Sequence, residues 1–355
     1  MIFRYLSVVL SAFLTACSGP GYYMQAVSGQ WKLMHAREDI QSVLNDPATT
    51  PELTEQLLLA DQIKTFARNS LDLPANGSYS SYVEVEGDAL VWNVVATGEF
   101  SLQPKKWCFP VAGCVPYRGF FKQQKAMQSA ERYRRKGMDV YVSPAVAYSS
   151  LGWFSDPLLS TMLSGSDVRM AAYLFHELAH QRLYIKDDGV FNEGYASFVE
   201  ETGLKQWLET NQRQDDLQQW KHLQNVSMDF NTLIGETRHE LSELYHTDSP
   251  ETEMRERKNE ILDSFLRSLE KLRNEKWQGK QYYQSWFEEP LNNARLALYD
   301  TYAGSHCAFQ RLWLESDGNP QEFHRLAEER SRLKKEQRHE WLKQSCPTIA
   351  PQAKL

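Results

Sequence analysis

The sequence predicts an α+β fold that is predominantly α, and three observations predict it. A stretch rich in Val, Tyr, Phe and Trp lies in the first half, between Ser78 and Pro110. From Ser166 onward apolar residues recur at three- and four-residue intervals with little interruption, which is the period of an amphipathic helix. At the start of that helical half stands His176-Glu177-Leu178-Ala179-His180, with its two histidines four positions apart. The expectation is a small β-sheet beside motif-bearing helices, followed by a helical C-terminal half.

The chain opens MIFRYLSVVLSAFLTACSGP, with one positive charge at Arg4 and an apolar run from Tyr5 to Ala16. That run is too short to span a bilayer and has the form of a secretory signal peptide over residues 1–16. Leu14-Thr15-Ala16-Cys17 also fits the lipobox of bacterial lipoproteins, in which the Cys thiol takes a diacylglycerol and the preceding peptide is removed. Cys17 would then be the lipidated first residue, and several acyl chains anchor durably because each buried methylene contributes roughly 0.8 kcal/mol. Ser18, not Asp, follows the Cys, so the expected address is the outer membrane, facing the periplasm. Residues 17–30 are small and polar and read as a lipidated N-terminus and tether.

Residues 31–355 read as a single catalytic domain. Apolar spacing suggests helices near residues 30–44 and 51–72. Between Ser78 and Pro110 two β-rich runs flank Glu86-Gly87-Asp88 and suggest a hairpin or small sheet. A helix is expected from about Gln123 to Lys136, then a strand from Met138 to Tyr148. Gly152-Trp153-Phe154-Ser155-Asp156-Pro157 breaks the chain before the motif helix. A long antiparallel helical hairpin is expected over about 213–275, its arms joined by His246-Thr247-Asp248-Ser249-Pro250, with Ser249 as cap and Pro250 in the first helical position. Its charged face reads as solvated surface. Asn319-Pro320 starts a last helix, and Cys346 lies just beyond its end.

A net charge of -7 leaves no basic surplus to neutralise phosphates, so nucleic acid is not expected as a partner. Besides Cys17 the cysteines are Cys108, Cys114, Cys307 and Cys346, an even number in a compartment that permits disulfides. Three pairings exist. Cys108 with Cys114 and Cys307 with Cys346 is favoured, because the first pair is local and flanks the turn-like Phe-Pro-Val-Ala-Gly. Neither pair has the spacing of a zinc ribbon.

On a helix, His176 and His180 lie on one face a turn apart, so both imidazoles can reach one cation, with Glu177 beside them but not a ligand. Catalytic zinc takes three protein ligands and leaves a fourth position for water. The third is suggested by Asn192-Glu193-Gly194-Tyr195: Asn192 can cap a new helix that folds back and turns Glu193 towards the two histidines. Ser197 or Glu200, one and two turns further on, could hydrogen-bond the outer nitrogen of a ligand His. Together these predict one Zn2+ per chain on His176, His180 and Glu193, with Glu177 taking a proton from water and passing it to the leaving amine. The developing oxyanion needs a further donor; Tyr302 ranks first, ahead of Tyr299, Arg295 and Tyr148. The strand ending near Tyr148 could pair with an extended peptide substrate. His35, His222, His239, His246, His324 and His339 read as surface or packing residues.

HELAHQ followed by NEGYASFVE resembles the gluzincin aminopeptidases, in which such runs supply two His and a Glu to zinc. Those enzymes place a longer stretch between the second His and the ligand Glu; here only Gln181 to Asn192 intervene. The chain is also similar, over nearly its whole length, to the bacterial family of predicted aminopeptidase lipoproteins. That likeness is carried by Val91-Trp92-Asn93, the run from Trp107 to Gly119 (WCFPVAGCVPYRG), Ala147 to Phe154 (AYSSLGWF), FHELAHQ, FNEGYASFVE and Leu291 to Leu296 (LNNARL). The resemblance implies a gluzincin-like domain and a zinc peptidase, with aminopeptidase activity ahead of a zinc endopeptidase of the cell envelope. A third reading is a non-catalytic lipoprotein that uses its helical hairpin for binding. A carboxylate that recognises a substrate's free ammonium cannot be named from the sequence.

Overall fold

The computed structural model describes residues 20–74, 76–109, 113–146, 155–301 and 305–346, without the side chains of Pro20, Asp300 and Thr301. Cys17, Tyr148 and Tyr302 lie outside the described residues. The fold is predominantly helical with small sheets, as an α+β reading requires. No helix among the described residues is long and apolar enough to cross a membrane.

Where a tether was expected over residues 17–30, helix α1 (Pro20–His35) begins at Pro20. Specific fastening overrides its small, polar composition. Tyr22 packs on Phe109 and Phe120 and carries the Arg118 guanidinium 3.8 Å over its ring. Gln25 donates to the Gly119 carbonyl and accepts from the Phe121 amide. Gly29 lies so close to the Phe121 ring that a Cβ would overlap it. The helix expected over 30–44 is interrupted: β1 (Glu38–Asp39) pairs with β2 (Ser81–Val83), and Asp39 then caps α2 (Ile40–Asn45) by accepting from Gln41 and Ser42. Helix α3 (Pro51–Leu71) starts under a Thr50 cap.

The expected hairpin around Glu86-Gly87-Asp88 does not form, since its two runs enter different sheets. Strand β2 is central in one, in the order β1-β2-β8, pairing in parallel with β8 (Leu158–Leu159). Strand β3 (Val91–Thr97) is central in the other, in the order β6-β3-β7. With Val94, Val95 and Ala96 all buried, β3 needs partners on both edges and covers on both faces. It finds them in β6 (Arg118–Phe120), in β7 (Asp139–Ala145), paired from Val91 opposite Ala145 to Thr97 opposite Asp139, and in the Ala126 and Ala130 face of α4 (Gln123–Arg134). Between them β4 (Trp107–Phe109) and β5 (Gly113–Val115) form a small hairpin that sets Cys108 opposite Cys114.

The helical half begins with α5 (Ser160–Leu163) and α6 (Asp167–Arg182), whose cap Ser166 accepts from Arg169. Helix α6, α7 (Gly189–Thr210) and α3 pack in the main core through Ala67, Leu71, Leu174, Phe175, Ala196 and Val199. The expected hairpin is α8 (Gln214–Tyr245) and α9 (Glu251–Glu275), packed through Phe230, Leu233, Leu241, Phe265 and Leu269. Pro250, not Ser249, is the cap residue of α9, and no side chain caps it. A buried polar bracket ties the hairpin to the sheet: Lys258 Nζ meets Asp139 at 2.6 Å and the Glu99 carbonyl at 2.8 Å. Asn293 donates to that carbonyl and accepts from Tyr245. Short helices α10 (Ser285–Glu288) and α11 (Asn293–Ala297) follow. Beyond α12 (His306–Glu315), Asn319 caps α13 (Pro320–Ser331) as expected. It is not the last helix, because the chain turns at Arg332 to Lys334 into a separate α14 (Lys335–Leu342). Cys307 and Cys346 then lie at disulfide distance, as do Cys108 and Cys114.

Candidate metal centre

Helices α6 and α7 are neighbours in sequence and in space, and the link between them sets their register. Asn192 was expected to cap α7, but Asp188 takes that place by accepting from the Phe191 amide, so the helix begins four residues earlier. Asn192 is buried in the first turn, donating to the Ile185 carbonyl and accepting from the Ile185 amide, both at 2.8 Å. That pair of bonds closes the short linker on α7. Asp188 is held in turn by Arg338 at 2.6 and 2.8 Å and by His339 at 2.8 Å. Buried, it would otherwise be neutral more readily; the His339 and Arg338 partners outweigh that and hold its carboxyl below the ordinary range. Lys335 donates to the Asp187 carbonyl, and the Asp187 side chain accepts from the Cys114 amide.

This linker brings Glu193 back over the motif helix. His180 Nε2 stands 3.1 Å from His176 Nε2. Glu193 Oε2 is 3.5 Å from His176 Nε2, and its Oε1 is 3.6 Å from His180 Nε2. The three side chains can offer one ligand atom each within a 4.8 Å spread, and among the described residues no other trio of His, Cys, Asp or Glu does so. Gly194 follows because α12 crosses there: a Cβ at this position would meet Ser305 Oγ at 2.1 Å.

The outer nitrogen of His176 finds Glu200. Nδ1 lies 2.9 Å from Glu200 Oε2, so Nδ1 carries a proton and donates it to that carboxylate, while Nε2 faces the cluster. Ser197, the other residue considered for that task, makes no such bond. Burial disfavours the His176 cation, yet the Glu193 and Glu200 carboxylates raise its pKa well above the ordinary histidine value. His180 is pushed the other way, to about 4, by burial, with Glu193 opposing and His176 adding. Its Nδ1 is buried with no hydrogen-bond partner.

Two contributors to this neighbourhood carry no sequence signal. Asn76 donates to the Gln181 side chain at 2.7 Å, one residue past the second motif histidine. Buried Tyr79 has its phenol held well above the usual range, first by burial and then by the charges of Glu177 and Asp156. Conversely, Arg295 is not at the centre. Its guanidinium lies between the Trp286 and Tyr141 rings, 4.3 and 5.0 Å from their centroids, and donates to the Glu289 carbonyl. Tyr299 packs on Phe230 and Trp286 in the hairpin's core.

Adjacent helices of a mainly α protein thus bring two imidazoles and a carboxylate to one point, a donor set that could hold a cation. The family model described as Putative aminopeptidase matches residues 21–342, and the chain belongs to that family. Membership suggests peptidase activity and a peptide substrate. No curated protein and no solved structure matches the chain.

Proposed function

We propose that the chain is a zinc-dependent aminopeptidase in which His176, His180 and Glu193 hold the metal and Glu177 is the general base. The spacing of the donor atoms on these three side chains supports this most directly. Donors bonded at about 2.0–2.1 Å to a tetrahedral ion stand roughly 3.3–3.4 Å apart; here the two imidazole nitrogens are 3.1 Å apart, and Glu193 approaches them at 3.5 Å through Oε2 and 3.6 Å through Oε1. Two imidazole nitrogens facing each other beside a carboxylate form a site that a cation satisfies. Zinc bound there would supply a Lewis acid for the scissile carbonyl and make an attacking water more acidic.

The other steps fall to side chains. Glu177, next to His176 on α6, receives the proton released by water and returns it to the leaving amine. Glu200 keeps His176 in the tautomer that offers Nε2 inward. For the oxyanion we retain Tyr302 as first candidate, since Arg295 and Tyr299 are engaged in packing. Strand β7 is an edge of its sheet and could take an extended substrate, although Asn292 already occupies the Val140 carbonyl on that edge. We further propose that acylated Cys17 anchors the enzyme at the outer membrane, facing the periplasm.

Metal analysis of the purified chain should find about one zinc per molecule, and hydrolysis should require a free amino terminus when blocked and unblocked peptides are compared. A chain purified without zinc that neither takes it up nor cleaves peptides would overturn the proposal. Equal cleavage of blocked peptides would turn it into an endopeptidase.

A further inference from the structure

Helix α1 has two apolar faces, and only one is used. Tyr22, Gln25, Gly29 and Leu33 lie against the body, fastened to β6 and the residue after it. Roughly half a turn away, Met24, Val27 and Trp31 fall at intervals of three and four residues, so they form one stripe. They are 72 %, 68 % and 59 % exposed, three large apolar side chains on one helix turned away from the protein. Isolated exposed apolar residues are ordinary, but a contiguous stripe marks a contact surface.

We propose that this stripe lies on the phospholipid bilayer that holds the acylated Cys17, so that α1 is a membrane-surface helix fixing how the body stands on the membrane. The inference rests on the lipidation of Cys17 proposed above. Three features favour a bilayer as the occupant. Cys17 is three positions before the helix start, a reach of about 10 Å at most for extended chain. A lipid inserted at Cys17 therefore brings the first turns of α1 to headgroup level, the depth of roughly 5–10 Å at which interfacial helices lie. Second, the stripe ends in Trp31, whose amphipathic ring suits the membrane–water boundary. Third, α1 carries no acidic residue and has Lys32 beside Trp31, so nothing on the helix repels anionic headgroups. Because α1 is docked by its opposite face, lipid contact through the stripe orients the whole chain.

The test uses the full-length protein, processed and acylated in cells and reconstituted into vesicles of phosphatidylethanolamine and phosphatidylglycerol. Met24→Cys, Val27→Cys and, as a distant control, Leu223→Cys on α8 are each labelled with a nitroxide. The native cysteines are acylated or paired, so each label has a single target. Collision with dissolved oxygen, relative to a water-soluble nickel complex, should rise on vesicles at positions 24 and 27 and stay unchanged at 223. A Val27→Asp, Trp31→Asp double variant should keep its fold by circular dichroism and its acyl chains by mass spectrometry, yet leave the vesicles faster than the parent. Labels at 24 and 27 that remain in water on an acylated protein overturn the inference while leaving the anchor intact. A stripe variant that changes the sedimenting mass but not vesicle retention assigns the surface to a second copy and also overturns it. An unacylated Cys17 removes the premise and refutes both readings, whereas the zinc content of the same preparation tests the enzyme proposal separately.

Discussion

Glu177 and Glu193 are both carboxylates near the same two imidazoles, and their tasks separate by position. Glu193 Oε1 and Oε2 approach His180 and His176 directly, whereas Glu177 follows His176 along α6 and serves as the proton acceptor in the proposed reaction. Glu177→Gln should therefore keep its zinc after dialysis against a mild chelator while losing turnover of amino-acid anilides by on the order of a hundredfold or more. Glu193→Ala should lose the zinc as well. Retention of zinc by Glu193→Ala at the wild-type level would require another third ligand. Glu200 acts one step removed: without its acceptor, His176 is free to change tautomer. Glu200→Gln should weaken zinc by roughly 10- to 100-fold, read by competition with a chelating dye, with bound-metal activity less affected. These residues were legible in different degrees. Four-residue spacing displays His176 and His180, and Asn-Glu-Gly displays Glu193, but the choice of Glu200 over Ser197 needed the actual azimuth of α7 against α6. Asp188 could not be ranked above Asn192 as the cap, because what favours it is Arg338 and His339, far along the chain.

At the level of elements, α7, α13 and the end of α3 meet at one buried relay. Tyr195 donates to His324 Nδ1 at 2.7 Å, and His324 Nε2 donates to the Leu71 carbonyl at 2.8 Å. Both ring nitrogens are committed only if the ring is neutral. Burial is the main cause of a lowered His324 pKa, with the Leu71 bond opposing it. In the unfolded chain the ring titrates near 6.5. Below that pH the unfolded state binds a proton that the folded state resists, so this group's contribution to stability falls as pH drops below about 6.5 and is fully present above it. Calorimetry between neutral pH and about pH 5 should show the wild type losing stability over that window, and His324→Phe should start less stable but with a shallower dependence. An unchanged slope would mean that His324 does not govern it. The sequence placed His324 among packing residues without its partner, because Tyr195 is a long way off in the chain. For the same reason it joined β2 and β3 across Glu86-Gly87-Asp88: local pattern shows a strand, while the choice of sheet depends on β7 and β8, which come later. The helical half was read more accurately, since its period is a local property.

Across the whole molecule, the C-terminal helices hold the linker that leads into the candidate metal site. The Cys307–Cys346 pair closes a loop with a sequence separation of 39 residues, and in the chain-entropy account such a loop contributes roughly 4 kcal/mol through the unfolded state. Inside that loop, α14 supplies Arg338, His339 and Lys335 to Asp187 and Asp188, in the linker that sets Glu193 over His176 and His180. Two different losses can therefore be told apart. A Cys307→Ser, Cys346→Ser variant removes a cross-link without touching the linker, so its urea midpoint should fall while zinc affinity, measured well below the transition, stays close to wild type. Arg338→Met leaves the cross-link but strips the buried Asp188 carboxylate of its bidentate partner, and breaking a buried pair from one side costs about 3–5 kcal/mol. Much of that cost should appear where Asp188 sits, as a loosened start to α7 and weaker zinc, with Asp188→Asn, Arg338→Met together recovering part of the loss because no charge is left unpaired. If Arg338→Met unfolds at lower urea yet binds zinc like the wild type, the linker is held well enough by Asn192 and Ile185 alone, and the C-terminal helices contribute stability without shaping the site.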